Sequence, residues 1–141
     1  MTIQPNERLD RFLWEALRDR LRWSLAGFAV VGAIAHVPVV GEHLREAPYM
    51  GWEFIVLIAA CLAIAVAAIH WDSAAVYAAA SLTCGLAVLG YILTRLVAFP
   101  MLSDDVGNWF EPLGVVSIAA EYAVVGIAIA ALRRNWSSMS D

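Results

Sequence analysis

Charged residues are scarce in this chain, and lysine is absent altogether. Only 16% of the 141 residues are charged, whereas a soluble domain has about a quarter. Hydrophobic residues make up 62% of the chain, and the mean hydropathy is +0.71. This balance excludes an ordinary soluble domain and gives no sign of nucleic-acid binding. We therefore expect a single domain whose main partner is a lipid bilayer.

Cysteine and catalytic signatures are scarce as well. The two cysteines, Cys61 and Cys84, fall inside apolar runs and have neither the spacing of a zinc site nor the number that a disulfide framework needs. We interpret them as small buried residues. The chain has no GxSxG, HExxH, P-loop or dinucleotide fingerprint. The sequence therefore favours a protein that is not an enzyme.

Four apolar runs dominate what the chain does contain. They cover residues 24–40, 54–69, 74–99 and 113–132. A membrane-spanning helix needs about 20 apolar residues, and the shorter runs reach that length when their flanks are included. The six tryptophans all lie at or beyond the ends of these runs, as expected for rings at the headgroup level. The sequence thus predicts an all-α fold, a bundle of four transmembrane helices over residues 24–132.

The N-terminal residues 1–23 are predicted to form an amphipathic interfacial helix. After Pro5 and the candidate N-cap Asn6, apolar residues recur at three-to-four spacing with charged residues opposite. The apolar positions are Leu9, Phe12, Leu13, Ala16, Leu17 and Leu21. Such a stripe fits the membrane surface, although packing against the bundle or extending the first span are alternatives. In the turn before the third span, Asp72 or Ser73 is a candidate helix cap.

Arginine is concentrated at the two ends of the chain, and this predicts the orientation. Seven of the nine arginines precede the first span or follow the last: Arg8, Arg11, Arg18, Arg20, Arg22, Arg133 and Arg134. By the positive-inside rule, both termini, with the tail 133–141, lie on the cytoplasmic face of the cell membrane. The loops 41–52 and 100–112 then face outward. The segment before Ala33-Ile34-Ala35 also resembles a signal peptide, but the part before its apolar run is long and carries four acidic residues, so we expect it to be retained.

Two charged residues, Arg95 and Glu121, fall inside the predicted spans, where each is costly unless it is partnered. At 1.5 Å per residue, Glu121 lies about 12 Å below the start of the fourth span. Arg95 lies at a comparable depth near the end of the third. We therefore predict that Glu121 pairs with Arg95 or is protonated. The pair is either a structural ion pair that fixes helix register or part of a proton or cation relay through Glu121.

The outer loops hold a second group of candidate ligands. They carry six carboxylates against one arginine, Arg45, and two histidines lie nearby. Imidazole and carboxylate suit copper or zinc, although no segment has a recognised ligand spacing and a solvated acidic loop is the alternative. The candidate metal ligands are His36, His43, Asp104, Asp105 and Glu111. Haem is disfavoured because His36 and His43 lie on one short stretch and cannot oppose each other across an iron.

Two stretches resemble a known group of membrane proteins. Residues 94–100 (TRLVAFP) followed by residues 104–115 (DDVGNWFEPLGV) resemble a pattern in uncharacterised small four-span proteins of actinobacterial type. Residues 43–49 (HLREAPY) resemble the first outer loop of the same group, and the likeness covers about residues 30–125. The resemblance implies a four-span membrane protein and carries over neither an activity nor a catalytic residue.

These features lead to two functional expectations. The first is a membrane protein without enzymatic activity that binds or passes a cation, copper among the candidates. The cation would bind at an outward-facing polar cluster made of His36, His43, Arg95, Asp104, Asp105, Glu111 and Glu121. The second is an accessory or assembly subunit of a larger membrane complex. Small-residue pairs such as Ser81/Gly85 and Gly126/Ala130 favour close packing within the chain, against a protein partner or in a homo-oligomer.

Overall fold

Four long helices make up most of the structure, a computed structural model in which residues 5–17 and 19–138 are described. A short helix, α1 (Pro5–Trp14), precedes α2 (Leu21–Glu46), α3 (Pro48–His70), α4 (Ala74–Leu96) and α5 (Pro112–Ser138). The four long helices are long and apolar enough to cross a membrane, which confirms the predicted all-α four-helix bundle. Residues 1–4, Arg18 and residues 139–141, which belong to the predicted N-terminal helix and tail, lie outside the described residues.

The helices end at different places from the apolar runs. α2 continues through Pro38 to Glu46. This is possible because the φ of proline is close to the helical value, although its missing N–H removes one backbone hydrogen bond. α4 instead ends at Leu96, and Val97 is already extended with φ −128° and ψ 132°. The proline at position 100 favours this early end, since the residue before a proline avoids the helical conformation.

The interfacial helix predicted over the N-terminal residues is shorter than expected. α1 ends at Trp14, and α2 begins only at Leu21. Between them, Leu17 N–H donates to the carbonyl of Asp72, and Asp19 N–H donates to Oδ2 of Asp72, both at 2.8 Å. Backbone groups that would continue the helix are thus bonded to the turn between α3 and α4. The result is an elbow that holds α1 at the end of the bundle where both termini lie.

Asp72 organises this termini end of the bundle. Its buried carboxylate accepts hydrogen bonds from Tyr77 Oη at 2.7 Å and from Arg22 Nη1 at 3.4 Å, besides the Asp19 amide. Asp19 in turn accepts from Arg134 Nη2 at 2.7 Å. The predicted capping role is therefore wrong for Asp72. Ser73 does occupy the N-cap position of α4, but its described side chain makes no capping hydrogen bond.

The core of the bundle is filled mostly by small side chains. α2 packs against α3 and α5, α4 packs against α5, and the contact between α3 and α4 is less extensive. The buried alanines of the main core are Ala26, Ala29, Ala33, Ala65, Ala68, Ala80, Ala128 and Ala131. Small side chains let helices approach closely, which is how membrane helices associate when lipid supplies no hydrophobic driving force.

Candidate functional site

In the half of the bundle next to the loop between α4 and α5, the most deeply buried polar contact joins His36 of α2 to Glu121 of α5. His36 Nε2 lies 2.9 Å from Glu121 Oε1, and the two residues are 7% and 2% exposed. The two helices approach closely here. A methyl group added at Gly32, one turn from His36, would lie only 3.7 Å from Cγ of Glu121. The sequence singled out both residues, but it did not pair them.

One proton lies between these two side chains. Either the imidazole N–H donates to the carboxylate, or the carboxylic acid O–H donates to the imidazole. In either form the pair as a whole can be neutral, which removes most of the cost of burying a lone charge among membrane helices. The geometry therefore brings a hydrogen-bond donor and an acceptor, on two titratable side chains, together at one buried point.

An aromatic residue that no sequence motif marks completes this site. Phe54 of α3 stacks on the imidazole of His36, with ring centroids 4.9 Å apart and an angle of 21° between the planes. The same ring meets His43 edge to face, again at 4.9 Å, with an angle of 86°. His43 Nδ1 lies 2.9 Å from the carbonyl oxygen of Val39, and because a carbonyl only accepts, Nδ1 carries the hydrogen.

Arg95 has a different partner from the one that the sequence predicted. Its Nη1 lies 3.2 Å from Asp105 Oδ2, while Glu121 bonds to His36, so the predicted Arg95–Glu121 pair is replaced by two separate pairs. The guanidinium carbon also lies 4.5 Å from the centre of the Tyr91 ring. The Arg95 carbonyl accepts a hydrogen bond from Gly107 N–H at 2.9 Å. Arg95 therefore holds the loop between α4 and α5 rather than the buried carboxylate.

That loop is fixed at several further points. Tyr49 Oη donates to the carbonyl of Pro100 at 2.7 Å, and Tyr91 Oη donates to the carbonyl of Trp109 at 2.9 Å. The Glu111 carboxylate accepts hydrogen bonds from the amides of Leu113 and Gly114, which caps the start of α5. The loop between α4 and α5, at what is called here the long-loop end of the bundle, is thus tied to α3, α4 and α5.

The five candidate metal ligands are not gathered into one site. His36 bonds to Glu121, Asp105 bonds to Arg95, and Glu111 caps α5. Asp104 is exposed and accepts a hydrogen bond from Ser103 Oγ at 3.4 Å. Within residues 5–17 and 19–138, no group of three or more His, Cys, Asp or Glu side chains could hold a metal ion. The two histidines share the Phe54 ring instead.

The cysteines occupy the core, in line with their interpretation as small buried residues. Cys61 of α3 and Cys84 of α4 are free thiols with no exposed surface. Their side chains lie next to each other across the interface between these two helices. Thiols in apolar surroundings are unreactive, so this contact is read as packing.

Comparisons of the chain with protein-family models, with curated proteins and with solved structures give no match. The resemblance of residues 94–115 to four-span proteins of actinobacterial type therefore stays a prediction. The function has to be inferred from the geometry of the buried pair and its surroundings.

Proposed function

We propose that the protein is a non-enzymatic membrane protein that binds and passes a proton at the buried His36–Glu121 pair. The observation that carries the proposal is the 2.9 Å contact between Nε2 and Oε1, made by two titratable side chains on different helices. Chains of Asp, Glu and His inside transmembrane bundles are the groups from which proton relays are built. The pair supplies a donor and an acceptor at one point.

A proton suits this site better than the metal ions that the sequence had suggested. Copper or zinc needs several ligands that converge on one point. Among the described residues such a group is not found, and Asp105 and Glu111 already have partners in the long loop. A proton needs only one donor and one acceptor, which His36 and Glu121 provide.

We infer that the pair exchanges its proton with the outer side of the cell membrane. The arginine distribution supports this, because the positive-inside rule favours both termini on the cytoplasmic face. His36 and Glu121 both lie closer in sequence to the long-loop ends of their helices, at Glu46 and Pro112, than to the termini end. The loop between α4 and α5, which Arg95 and Tyr49 hold, then faces outward.

The decisive experiment replaces Glu121→Gln in protein reconstituted into vesicles that contain a pH-sensitive dye. Glutamine keeps the size and a hydrogen bond to His36 but cannot ionise, so we expect proton movement to fall by about tenfold or more. Glu111→Gln is the matched control, since Glu111 is a carboxylate immediately before the same helix, whose first amides it caps. Proton movement that survives Glu121→Gln contradicts the proposal. Loss of the protein from the membrane instead identifies the pair as a structural one that fixes helix register.

An accessory subunit is the second candidate, and one observation favours it. Gly126 and Ala130 are both exposed on α5, and a methyl group at Gly126 would meet nothing within 4 Å. Within the described chain this small-residue pair is therefore left open to another helix. Purification in mild detergent separates the candidates: a stoichiometric protein partner or a homo-oligomer supports the subunit. Elemental analysis of the same sample tests for bound copper or zinc.

A further inference from the structure

Phe54 stands between the buried pair and a second histidine. Its ring contacts His36 face to face and His43 edge to face, with both centroid separations at 4.9 Å. His43 follows His36 by seven residues on α2, which places it about 10 Å nearer the long-loop end and on the same face of the helix. The order from that end inward is therefore His43, Phe54, His36 and Glu121.

His43 is prepared to accept a proton at its other ring nitrogen. Nδ1 donates to the carbonyl of Val39, so in the neutral imidazole Nε2 carries the free lone pair. The residue is partly exposed, whereas His36 is buried. A proton from the adjacent aqueous side therefore meets His43 before it meets His36.

The Phe54 ring interrupts any direct transfer between the two histidines. A proton moves along hydrogen bonds, and a phenyl ring has neither a conventional donor nor an acceptor that could continue such a chain. The separation of the histidines along α2 is also several times the length of one hydrogen bond. Transfer requires that the ring turn aside and that water occupy the space it leaves.

We propose that Phe54 is a gate and His43 the outer proton acceptor of this site. The inference rests on the proposed function, because it names the route by which protons reach the His36–Glu121 pair. A closed ring isolates the pair, and a displaced ring admits water and connects it to His43. The rate of proton exchange at His36 is then set by the opening of Phe54.

Exchange can be measured directly, because the chain has only three histidines. The full-length protein is labelled with ¹⁵N-histidine in lipid nanodiscs, and the ring signals are assigned by replacing each histidine in turn. The decay of the His36 ring N–H signal after transfer to D2O gives the exchange rate. We expect Phe54→Ala to raise this rate by about tenfold or more, since exchange of a buried group is limited by local opening. Phe28→Ala is the matched control, because Phe28 lies on α2 and is 42% exposed, and it should leave the rate unchanged.

A second variant tests the histidine. His43→Gln should slow exchange at His36 several-fold while Phe54 is present, and should have no effect in the Phe54→Ala background, where water reaches the pair without help. If Phe54→Ala does not fold, Phe54→Leu is used, and a rate equal to that of the native protein overturns the gate. Native exchange in His43→Gln overturns the role of His43.

The failure of this inference is distinguishable from failure of the proposed function. Exchange of a ring N–H with D2O is observed whether or not protons cross the membrane. Native exchange in the Phe54 variants together with lost proton movement in Glu121→Gln removes the gate and keeps the relay. Faster exchange in Phe54→Ala together with unchanged proton movement in Glu121→Gln keeps the barrier at Phe54 but rejects its connection to a relay, and with it the proposal made here.

Discussion

Two buried carboxylates, one in the turn between α3 and α4 and one inside α5, have equal exposure and very different surroundings. Asp72 and Glu121 are each 2% exposed. Asp72 accepts hydrogen bonds from Tyr77, from Arg22 and from the amide of Asp19. Glu121 has one described partner, His36, which is itself titratable. Burial is therefore the same, but the number and kind of donors differ.

This difference distinguishes a carboxylate with structural contacts from the one, here called the responsive carboxylate, that we propose exchanges a proton. Tyr77, Arg22 and the Asp19 amide connect Asp72 to three parts of the chain, and these contacts form a joint at the termini end. Glu121 contacts a single side chain, an imidazole that can donate or accept a hydrogen bond, as the proposed relay requires.

The largest expected effect on stability is that of Asp72→Ala, which removes the side-chain contacts of the joint. Asp72→Ala removes the acceptor of three hydrogen bonds and leaves the Tyr77 hydroxyl and the Asp19 amide without their partner. Breaking a buried ion pair by removing one member costs about 3–5 kcal/mol, and we expect a value near the lower end because Arg22 is partly exposed. The measurement is the free energy of unfolding in mixed detergent micelles. Asp104→Ala, at an exposed carboxylate, is the control, and equal stability of both variants contradicts the structural role of Asp72.

An intermediate effect is expected at the loop. A double-mutant cycle for Arg95→Ala and Asp105→Ala should give a coupling energy of about 0.5–3 kcal/mol, as found for residues in contact. The Arg95 side chain is buried, and its Nε has no partner among the described residues, so Asp105 and Thr94 carry its polar contacts. The cycle for Arg95→Ala and Glu121→Gln should give a value near zero. A larger coupling in the second cycle restores the pair that the sequence predicted.

A smaller effect on stability is expected at the responsive carboxylate. Glu121→Gln keeps the size of the side chain and a hydrogen bond to His36, so the free energy of unfolding should change by about 1 kcal/mol or less. The same micelle assay applies. If Glu121→Gln lowers the free energy of unfolding as much as Asp72→Ala does, both carboxylates have a structural role.

The sequence was informative about elements and much less so about partners. Hydropathy and tryptophan positions identified all four spans, because each depends only on local composition. The charges of Arg95 and Glu121 inside apolar runs marked both as residues that need partners. Neither partner could be chosen, because Asp105 reaches Arg95 only after a loop that contains a 3₁₀ turn at Ser103–Asp105. Depth along a helix constrains which residues can meet, but rotation of the helices and loop conformation decide which do.

The same limit explains the two other surprises. The N-terminal pattern predicted one amphipathic helix through Leu21, and local periodicity gave no sign that Asp72, far along the chain, would hold the backbone at Leu17 and Asp19. Phe54 was an ordinary apolar residue in a run of apolar residues. Only the packing of α3 against α2 shows that its ring lies against two histidines.

The smallest expected effect on stability is at the exposed edge of the joint, where Arg134 contacts Asp19. Arg134 donates to Asp19 at 2.7 Å, but its side chain is 58% exposed, so water and salt screen the pair. Exposed ion pairs contribute about 0–1 kcal/mol, and Arg134→Ala should therefore lower stability by no more than this, with a difference that shrinks as salt is added. Arg133→Ala, at the neighbouring exposed arginine, is the control. A loss as large as that in Asp72→Ala would mean that Asp19 depends on Arg134, and that the joint extends from the buried Asp72 carboxylate to the end of α5.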